Sequence, residues 1–573
     1  MTSTGQFSWT HSPVSGHPHA TILMWDGRVD NPADLLQGIR RPVPSDGGSA
    51  AAVLAAYARD GIKGLGRVIG DWSVVIHDAP EGAIVLASDF AGVRPLYYRW
   101  QLGQISWSTR LTELVEATET EALDEEYIAG FLSLGGCPNR TPYAGIYSVP
   151  PGCAVCATAT SVHVGTFWAL PTGDVIRYRD ERRYDEQLRW LFREAVAVRL
   201  QTDEPVVAEL SGGLDSSSVV CMANQLIRGG DVPAPRLTMI SYVHRDSLDT
   251  PFMHEVEAFC GIQGVHLSTH EHPLTSEAEV GQALPDGWVP LHRAVSSVAH
   301  GLGARVFLTG QGGDLMMGNW PDDSLQVAAR LRSGRLGSAC REALEWSKAM
   351  RMPVTWTLAR AFLAALPASW QTDAVYEREG TLQPSAETSL RPDFCRRSGV
   401  GRRVTWSTEW MQAPPERRKH FRALTLMREL RALGWAEPME GCDYTHPFAH
   451  RPLVEFLMSV PADVLCRPGE PRRLMRRALG DLLPRRLRTR KSKSLFGTPW
   501  AEALRPLATR LLAEREWHVV ERGWLDRPSL ANRLQRLTHG IECNEPQLRQ
   551  IILLEYWLRS RGVGHGAAAL LSA

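Results

Sequence analysis

The stretch ELSGGLDSSSVV, residues 209–220, places two glycines, an aspartate and three serines between one apolar run and the next. Gly212 and Gly213 let the backbone turn tightly and bring N–H groups up to a bound anion. The helix expected to begin near Ser216–Ser218 aims its positive end at the same point, and the serine hydroxyls add donors. Leu210, Ser211, Gly212, Gly213, Asp215, Ser216 and Ser217 therefore read as a phosphate cradle. It is not the G-x-x-x-x-G-K-S/T loop, because no lysine follows the second glycine. Asp215 alone would repel a phosphate, so its presence calls for a magnesium ion between the two. A helix N-cap also favours Ser, Asp or Gly, but capping explains one such residue rather than the whole string.

The elements that must hold this loop follow from the pattern around it. A helical stretch, YDEQLRWLFREAVAVRL, leads into a buried strand, PVVAEL, then the loop, then a helix ending at Gly229-Gly230. Strand LTMISYV, helix TPFMHEVEAFCG, strand GVHLSTH, a helical stretch near 288–302 and strand RVFLTG follow. Strands and helices alternating at these lengths predict a doubly wound parallel sheet with ligands at the carboxyl ends of its strands. Upstream, HATILMW, RVIGDWSVVIHD, GAIVLASD and QISWSTRL alternate as strands, with GSAAAVLAAYARDG as a helix among them. That is a layered, mostly β domain, with a boundary at the Pro/Gly-containing stretch 170–174. Residues 320–435 and 450–573 read as mainly helical.

Bulk composition narrows the classes. The chain has 573 residues with 63 basic and 63 acidic side chains, so no charge bias points to nucleic acid or membrane. No apolar run approaches the roughly 20 residues of a membrane span, and the N-terminus MTSTGQFSWTHSPVSG lacks a signal-peptide pattern. Ten cysteines without framework spacing suit a reducing cytoplasm. Cys153 and Cys156, in CAVC, lie in a strand-like stretch with no second pair for a metal.

The loop resembles the pyrophosphate loop (PP-loop) of ATP pyrophosphatases. The later stretch TGQGGDLMMGNW, 309–320, resembles the S-G-x-G-x-D-E-x-x-x-G segment of the asparagine synthetase family, with Leu315 where the family usually has Glu. The resemblance implies nucleotide contacts from Gly310, Gly312 and Gly313, with Asp215 and Asp314 as magnesium ligands. Such a pair suits adenylation of a carboxylate by ATP. Asp249 and Glu255 fit a further family segment loosely. LLPRRLRTRKSKSLFGTP, 482–499, resembles the family's C-terminal element and selects Lys493 as the cation for departing pyrophosphate; a solvated basic face is the plain alternative. MEGCDYTHPFAHRPLVEFLMSVP, 439–461, resembles the E-x-R-x-P-F-L-D stretch. Alignment on Pro447-Phe448 puts Asp443 at the acid near the acceptor, with Tyr444 beside it and Glu440 nearby; Thr445 and His450 replace the usual Arg and Asp. A helix cap is the plain reading of Asp443.

Residues 28–35 and 70–100 resemble the glutaminase domain of the same family, whose nucleophile is an N-terminal cysteine. Here residue 2 is Thr and the first cysteine is Cys137. The fold expected is α/β: an N-terminal αββα sandwich over 1–170, glutaminase-like with its nucleophile lost, then a PP-loop ATP pyrophosphatase domain with helical additions over 175–573. An intact adenylation site without that cysteine resembles the lasso-peptide cyclases. These adenylate an Asp or Glu side chain of a ribosomal core peptide, which the peptide's N-terminal amine then attacks. The Arg- and Trp-rich helices at 320–420 offer surface for such a peptide, although each Trp reads equally as core. The implied cofactors are ATP and Mg2+, and the implied partners a precursor peptide, a leader-binding protein and a leader peptidase. The alternatives are β-lactam or carbapenam synthetase-like ring closure, or an asparagine synthetase using free ammonia.

Overall fold

The computed structural model describes residues 4–8, 20–37, 48–133, 137, 139–169, 175–277, 283–285, 287–320, 323–367, 389–399, 413–429, 439, 441–490, 497–541 and 546–570. The boundary expected at 170–174 lies outside the described residues, as do Thr2, Glu440 and Lys493.

Two antiparallel sheets build the N-terminal half. One has the order β1 (Thr4–Ser8), β6 (Gln104–Ser108), β5 (Tyr97–Gln101), β7 (Tyr147–Ser148). The other runs β2 (Thr21–Gly27), β3 (Trp72–Asp78), β4 (Ala83–Ser88), β8 (Cys153–Ala157), β9 (Val162–Thr166). In β3 the run Trp72–Ile76 is buried throughout because both of its faces are covered. Val74 and Ile76 pack with Ala52, Val53 and Ala56 of the helix Ser49–Asp60. Val75 instead packs with Leu96, Ile105 and Trp107 of the facing sheet, as a period of two requires. On the far side, Leu111, Leu114 and Ile128 from two short helices close an αββα stack with Tyr97. The same cluster takes in Trp500, Leu504, Ile552 and Trp557, so C-terminal helices share a core with this half. The spacing of three in CAVC puts Cys153 and Cys156 on opposite faces of β8, as a strand does.

The second half holds a five-stranded parallel sheet in the order β12 (Val265–Ser268), β11 (Leu237–Val243), β10 (Val206–Glu209), β13 (Val306–Leu308), β14 (Asp443–Thr445). Val206 and Ala208 face the helices Arg182–Ala197 and Leu214–Gly229, while Val207 faces Val295 and Ala299 of the helix Val289–Gly301. Helices on both faces make this the doubly wound arrangement, with β10 central and its following loop at the carboxyl edge. Strand β14 departs from the capping reading of Asp443: the residue starts a strand in register with Val306.

Helices Ser324–Arg332, Leu336–Met350, Val354–Ala365, Pro392–Arg397 and Pro415–Glu429 make up the described part of the helical addition. Trp346 is fully buried core, whereas Leu336, Leu344, Met352, Phe362 and Leu363 are exposed. Among the described residues the exposed large apolar side chains there are Leu, Met and Phe. Among the described residues no helix is long and apolar enough to cross a membrane.

Candidate active site

The loop after β10 is closed by its own serines. The Ser211 N–H donates to Ser216 Oγ at 3.1 Å, and the two hydroxyls lie 2.9 Å apart. Gly212 takes φ +69°, a left-handed conformation that L side chains seldom adopt. The 16-residue helix Leu214–Gly229 starts directly behind it, so its free N–H groups face the loop.

The second glycine segment is pressed against this loop. A Cβ on Gly310 would lie 2.4 Å from the Ser216 nitrogen, and one on Gly313 would lie 2.6 Å from the Asp215 carboxyl carbon. Gly312 takes φ +85° and opens the short helix that carries Asp314. The two aspartates therefore meet, and one side chain joins them: Arg472 lies 3.0 Å from Asp215 Oδ2 and also pairs with Asp314. Arg472 is buried, with φ +57° and ψ +36°, and its N–H donates to the Gly318 carbonyl. A non-glycine residue in the left-handed region carries strain that its surroundings must offset.

Within the basic run from Arg472 to Arg490, Arg485, Arg486 and Arg488 are exposed, whereas the others are tied into the protein. Arg473 and Arg477 pair with Glu181, and Arg477 also with Asp185, on the helix before β10. Arg476 donates to the carbonyls of Arg488 and Arg490. Arg490 donates to the Gly212 carbonyl at 2.7 Å, pairs with Asp249 and sits 4.0 Å above the Phe252 ring. Asp249 in turn touches the loop, since a Cβ on Gly212 would lie 2.8 Å from its carbonyl oxygen. Glu255 pairs with Arg486 instead. Arg472 and Arg490 share their residue type with seven others between 467 and 488, and a left-handed backbone singles out Arg472.

The acceptor candidates divide. Tyr444 is buried between Phe307 and His446, and its hydroxyl accepts from Gln311 Nε2 at 2.6 Å, so it touches the glycine segment. Thr309 and His446 Nδ1 make a second such contact at 2.6 Å. Asp443 is on the other face of β14 and pairs with Arg94 of the N-terminal half. It lies level with Val206 at the amino edge of the sheet, about 16 Å along the strands from Ser211. The structure thus brings together residues 211–217, 310–314 and Tyr444, and leaves Asp443 at the opposite edge.

The altered acceptor positions serve the junction between the halves. Thr445 donates to Asp71 Oδ2 at 2.6 Å and accepts from Arg199. Asp71 is buried with Arg28 and Arg199 on it, both within 3.1 Å. Burial alone would raise its pKa, yet Arg199 and Arg28 hold it well below the carboxylate range. His450 lies 3.5 Å from Asp30, with burial lowering its pKa despite that carboxylate. Asp89, in the segment resembling glutaminases, accepts N–H groups from Trp72, Ala91, Val93 and Arg94. Burial and the charge of Asp71 still push it up to about 7.

The residues present fit magnesium-bound ATP. Glycines fill places where a Cβ would collide with the loop or with Asp215. The Ser217 hydroxyl is buried without a hydrogen-bond partner among the described residues. Asp215 and Asp314 would hold the metal, which would neutralise the triphosphate and orient it.

Residues 187–559 match the family model for asparagine synthase, and residues 7–168 match the glutamine amidotransferase domain. Among curated relatives, the amidase chyE of Penicillium rubens is 26% identical over 285 residues, 46% of this chain and 41% of its own. Asparagine synthetase (glutamine-hydrolyzing) 3 of Bacillus subtilis is 25% identical over 162 residues, 27% of this chain and 25% of its own. The chain spans about two-fifths or less of the length of the curated relatives it matches. A solved glutamine phosphoribosylpyrophosphate amidotransferase from B. subtilis aligns at 11% identity over 53% of this chain and 72% of that one, with a TM-score of 0.20.

Proposed function

The chain belongs to the asparagine synthase family, and we propose that it is an ATP-dependent ligase forming a carbon–nitrogen amide bond with release of AMP and pyrophosphate. The observation that carries this reading is the meeting of Asp215 and Asp314 on one arginine at the ends of adjacent strands. A carboxylate attacks the α-phosphorus of ATP bound across Ser211–Ser217 and Gly310–Asp314. An amine then displaces AMP from the acyl-adenylate. Arg472 and Arg490 supply cations beside the polyphosphate, and Lys493 is assigned to the departing pyrophosphate by motif alone.

The amide made is a macrolactam in a ribosomal precursor peptide, between an Asp or Glu side chain and the freed N-terminal amine, as in lasso peptides. Two features support this choice over a small acceptor. The helical addition exposes Leu336, Leu344 and Phe362, an apolar surface suited to a peptide. Thr445 and His450, where the family has Arg and Asp, are spent on the domain junction. Holding the peptide folded supplies the largest remaining term, because ring closure is otherwise entropically poor. A leader-binding protein and a leader peptidase acting in the cytoplasm complete the proposal.

The test is incubation with Mg-ATP and candidate core peptides, reading AMP, pyrophosphate and peptide mass. Loss of one water with matching AMP supports the cyclase. Turnover of a free β-amino acid, or of aspartate with ammonia, keeps the ligase and removes the peptide. Formation of ADP and phosphate instead would sink the adenylation itself.

A further inference from the structure

Away from the nucleotide loop, one buried carboxylate has two imidazoles as its side-chain partners among the described residues. Glu257 and His254 stand three residues apart on the helix Thr250–Cys260, and His266 lies on the edge strand β12 beside it. His254 Nδ1 is 3.1 Å from one carboxylate oxygen of Glu257, and His266 Nε2 is 2.6 Å from the other. The two rings are 5.0 Å apart, and all three ligand atoms fall within 4.8 Å of one another. Among the described residues no other such group of three His, Cys, Asp or Glu comes together.

We propose that His254, Glu257 and His266 form a binding site for a zinc-type divalent ion that ties β12 to the helix Thr250–Cys260. Metal–ligand bonds of about 2.0–2.2 Å in a tetrahedral shell put neighbouring donors about 3.3–3.6 Å apart, so these side chains need only small rotations to close on an ion. Two imidazole nitrogens with one carboxylate oxygen select zinc, with cobalt and nickel as chemical relatives, over magnesium and calcium, which take all-oxygen shells. Glu257 is 8% exposed, and among the described residues no lysine or arginine pairs with it. That contrasts with the buried acids Asp71, Asp215 and Asp249, each paired with arginine. A bound cation supplies the missing positive charge. Space is kept for the carboxylate by Gly264, where a Cβ would lie 2.4 Å from Glu257 Oε1. The His254 and His266 side chains are 55% and 31% exposed, which leaves an entry path and an open coordination position for water.

The site goes beyond the ligase reading and does not depend on it. The helix it grips begins beside the nucleotide loop: Met253 and the Asp249 carbonyl both border Gly212. An ion there fastens the sheet's outer strand to the helix that backs the loop.

Tag-free protein is stripped with a chelator and titrated with cobalt(II) and zinc(II) in excess magnesium. One ion bound per chain is expected, with the visible absorption of a low-coordinate cobalt–imidazole site, a rise of a few degrees in melting temperature with zinc, and displacement of cobalt by zinc. H266A and E257Q should each lower the affinity at least about 10-fold, in the range measured for lost ligand-shell partners. Near-ultraviolet circular dichroism confirms that each variant is folded. The wild-type cobalt spectrum decides the question without any variant. No bound ion in the wild type, or undiminished binding in folded H266A, overturns the site and leaves a hydrogen-bonded triad only.

Discussion

Two acid–arginine clusters in this molecule use the same chemistry for opposite ends. At the nucleotide loop, Arg472 holds Asp215 and Asp314, and the Asp314 side chain is 60% exposed. At the junction of the halves, Arg199 holds Asp71 with side chains 0% and 3% exposed, and Arg28 and Thr445 complete the set. An ion pair at an open mouth can be exchanged: a triphosphate competes for the arginine, and a cation for the carboxylates. A dry one cannot, because separating its charges leaves each desolvated and alone. The difference lies in whether the partner is free to leave.

Exchanging one carboxylate for an amide in each cluster tests this most severely. Asp314→Asn, at the exposed member of the pair, should cut AMP-forming turnover by about 10³-fold or more, an effect comparable to losing a principal charge-stabilising group, while leaving chemical denaturation within about 1–2 kcal/mol of wild type. Asp71→Asn should do the reverse, costing about 3–5 kcal/mol of stability, with turnover per folded molecule largely kept. Pyrophosphate release and urea unfolding read the two effects separately. Equal destabilisation by both substitutions would erase the contrast.

The contact between the two glycine segments gives a smaller effect. Gly313→Ala forces a methyl group into the Asp215 carboxylate, with a contact at 2.6 Å. We expect about a 10–100-fold loss of turnover, equivalent to about 1.4–2.7 kcal/mol, with little change in unfolding. Gly301→Ala, where nothing lies within 4 Å of the new Cβ, should leave both unchanged. Nucleotide titration with each variant separates lost binding from lost turnover.

How much of this was legible beforehand depended on the range of each signal. The loop ELSGGLDSSS and the segment TGQGGDL declare themselves because glycine, acid and hydroxyl cluster within a few residues at a strand end. The buried run of β3 and the helix Ser49–Asp60 follow from periodicity alone. Strand β14 was not legible: three residues, Asp443–Thr445, join a sheet whose neighbouring strand lies more than a hundred residues earlier, and no local pattern marks them. The resemblance set Asp443 near the acceptor, but pairing register places it at the far edge of the sheet. Arg472 was hidden for another reason. Its type is shared by Arg473, Arg476 and Arg477, and only a left-handed backbone turns it toward the aspartates while Arg473 and Arg477 face Glu181 and Asp185.

Acidification should separate the regions with the gentlest perturbation. His420 is buried against Trp320, and burial together with Arg417 lowers its pKa from 6.5 to about 3. Its contribution to stability is complete above pH 6.5 and is lost as pH falls from there toward 3, at up to about 1.4 kcal/mol per unit. Asp89 has the opposite sign. Its pKa is raised from 3.8 to about 7, so its contribution is complete below pH 3.8 and is lost as pH rises through 7. Between about pH 4 and 6.5 the two slopes oppose each other. Asp71, depressed by its arginines, contributes fully above pH 3.8 and stays silent in this window. His450, also lowered by burial, loses its contribution in the same direction as His420, so wild-type stability should fall from pH 6.5 to 4.5, and His420→Phe should flatten that fall by up to about 1.4 kcal/mol per unit. Urea unfolding at half-unit steps reads the slope. A His420→Phe variant that loses stability as steeply as wild type over that range would mean that the buried His420 ring is not what titrates there.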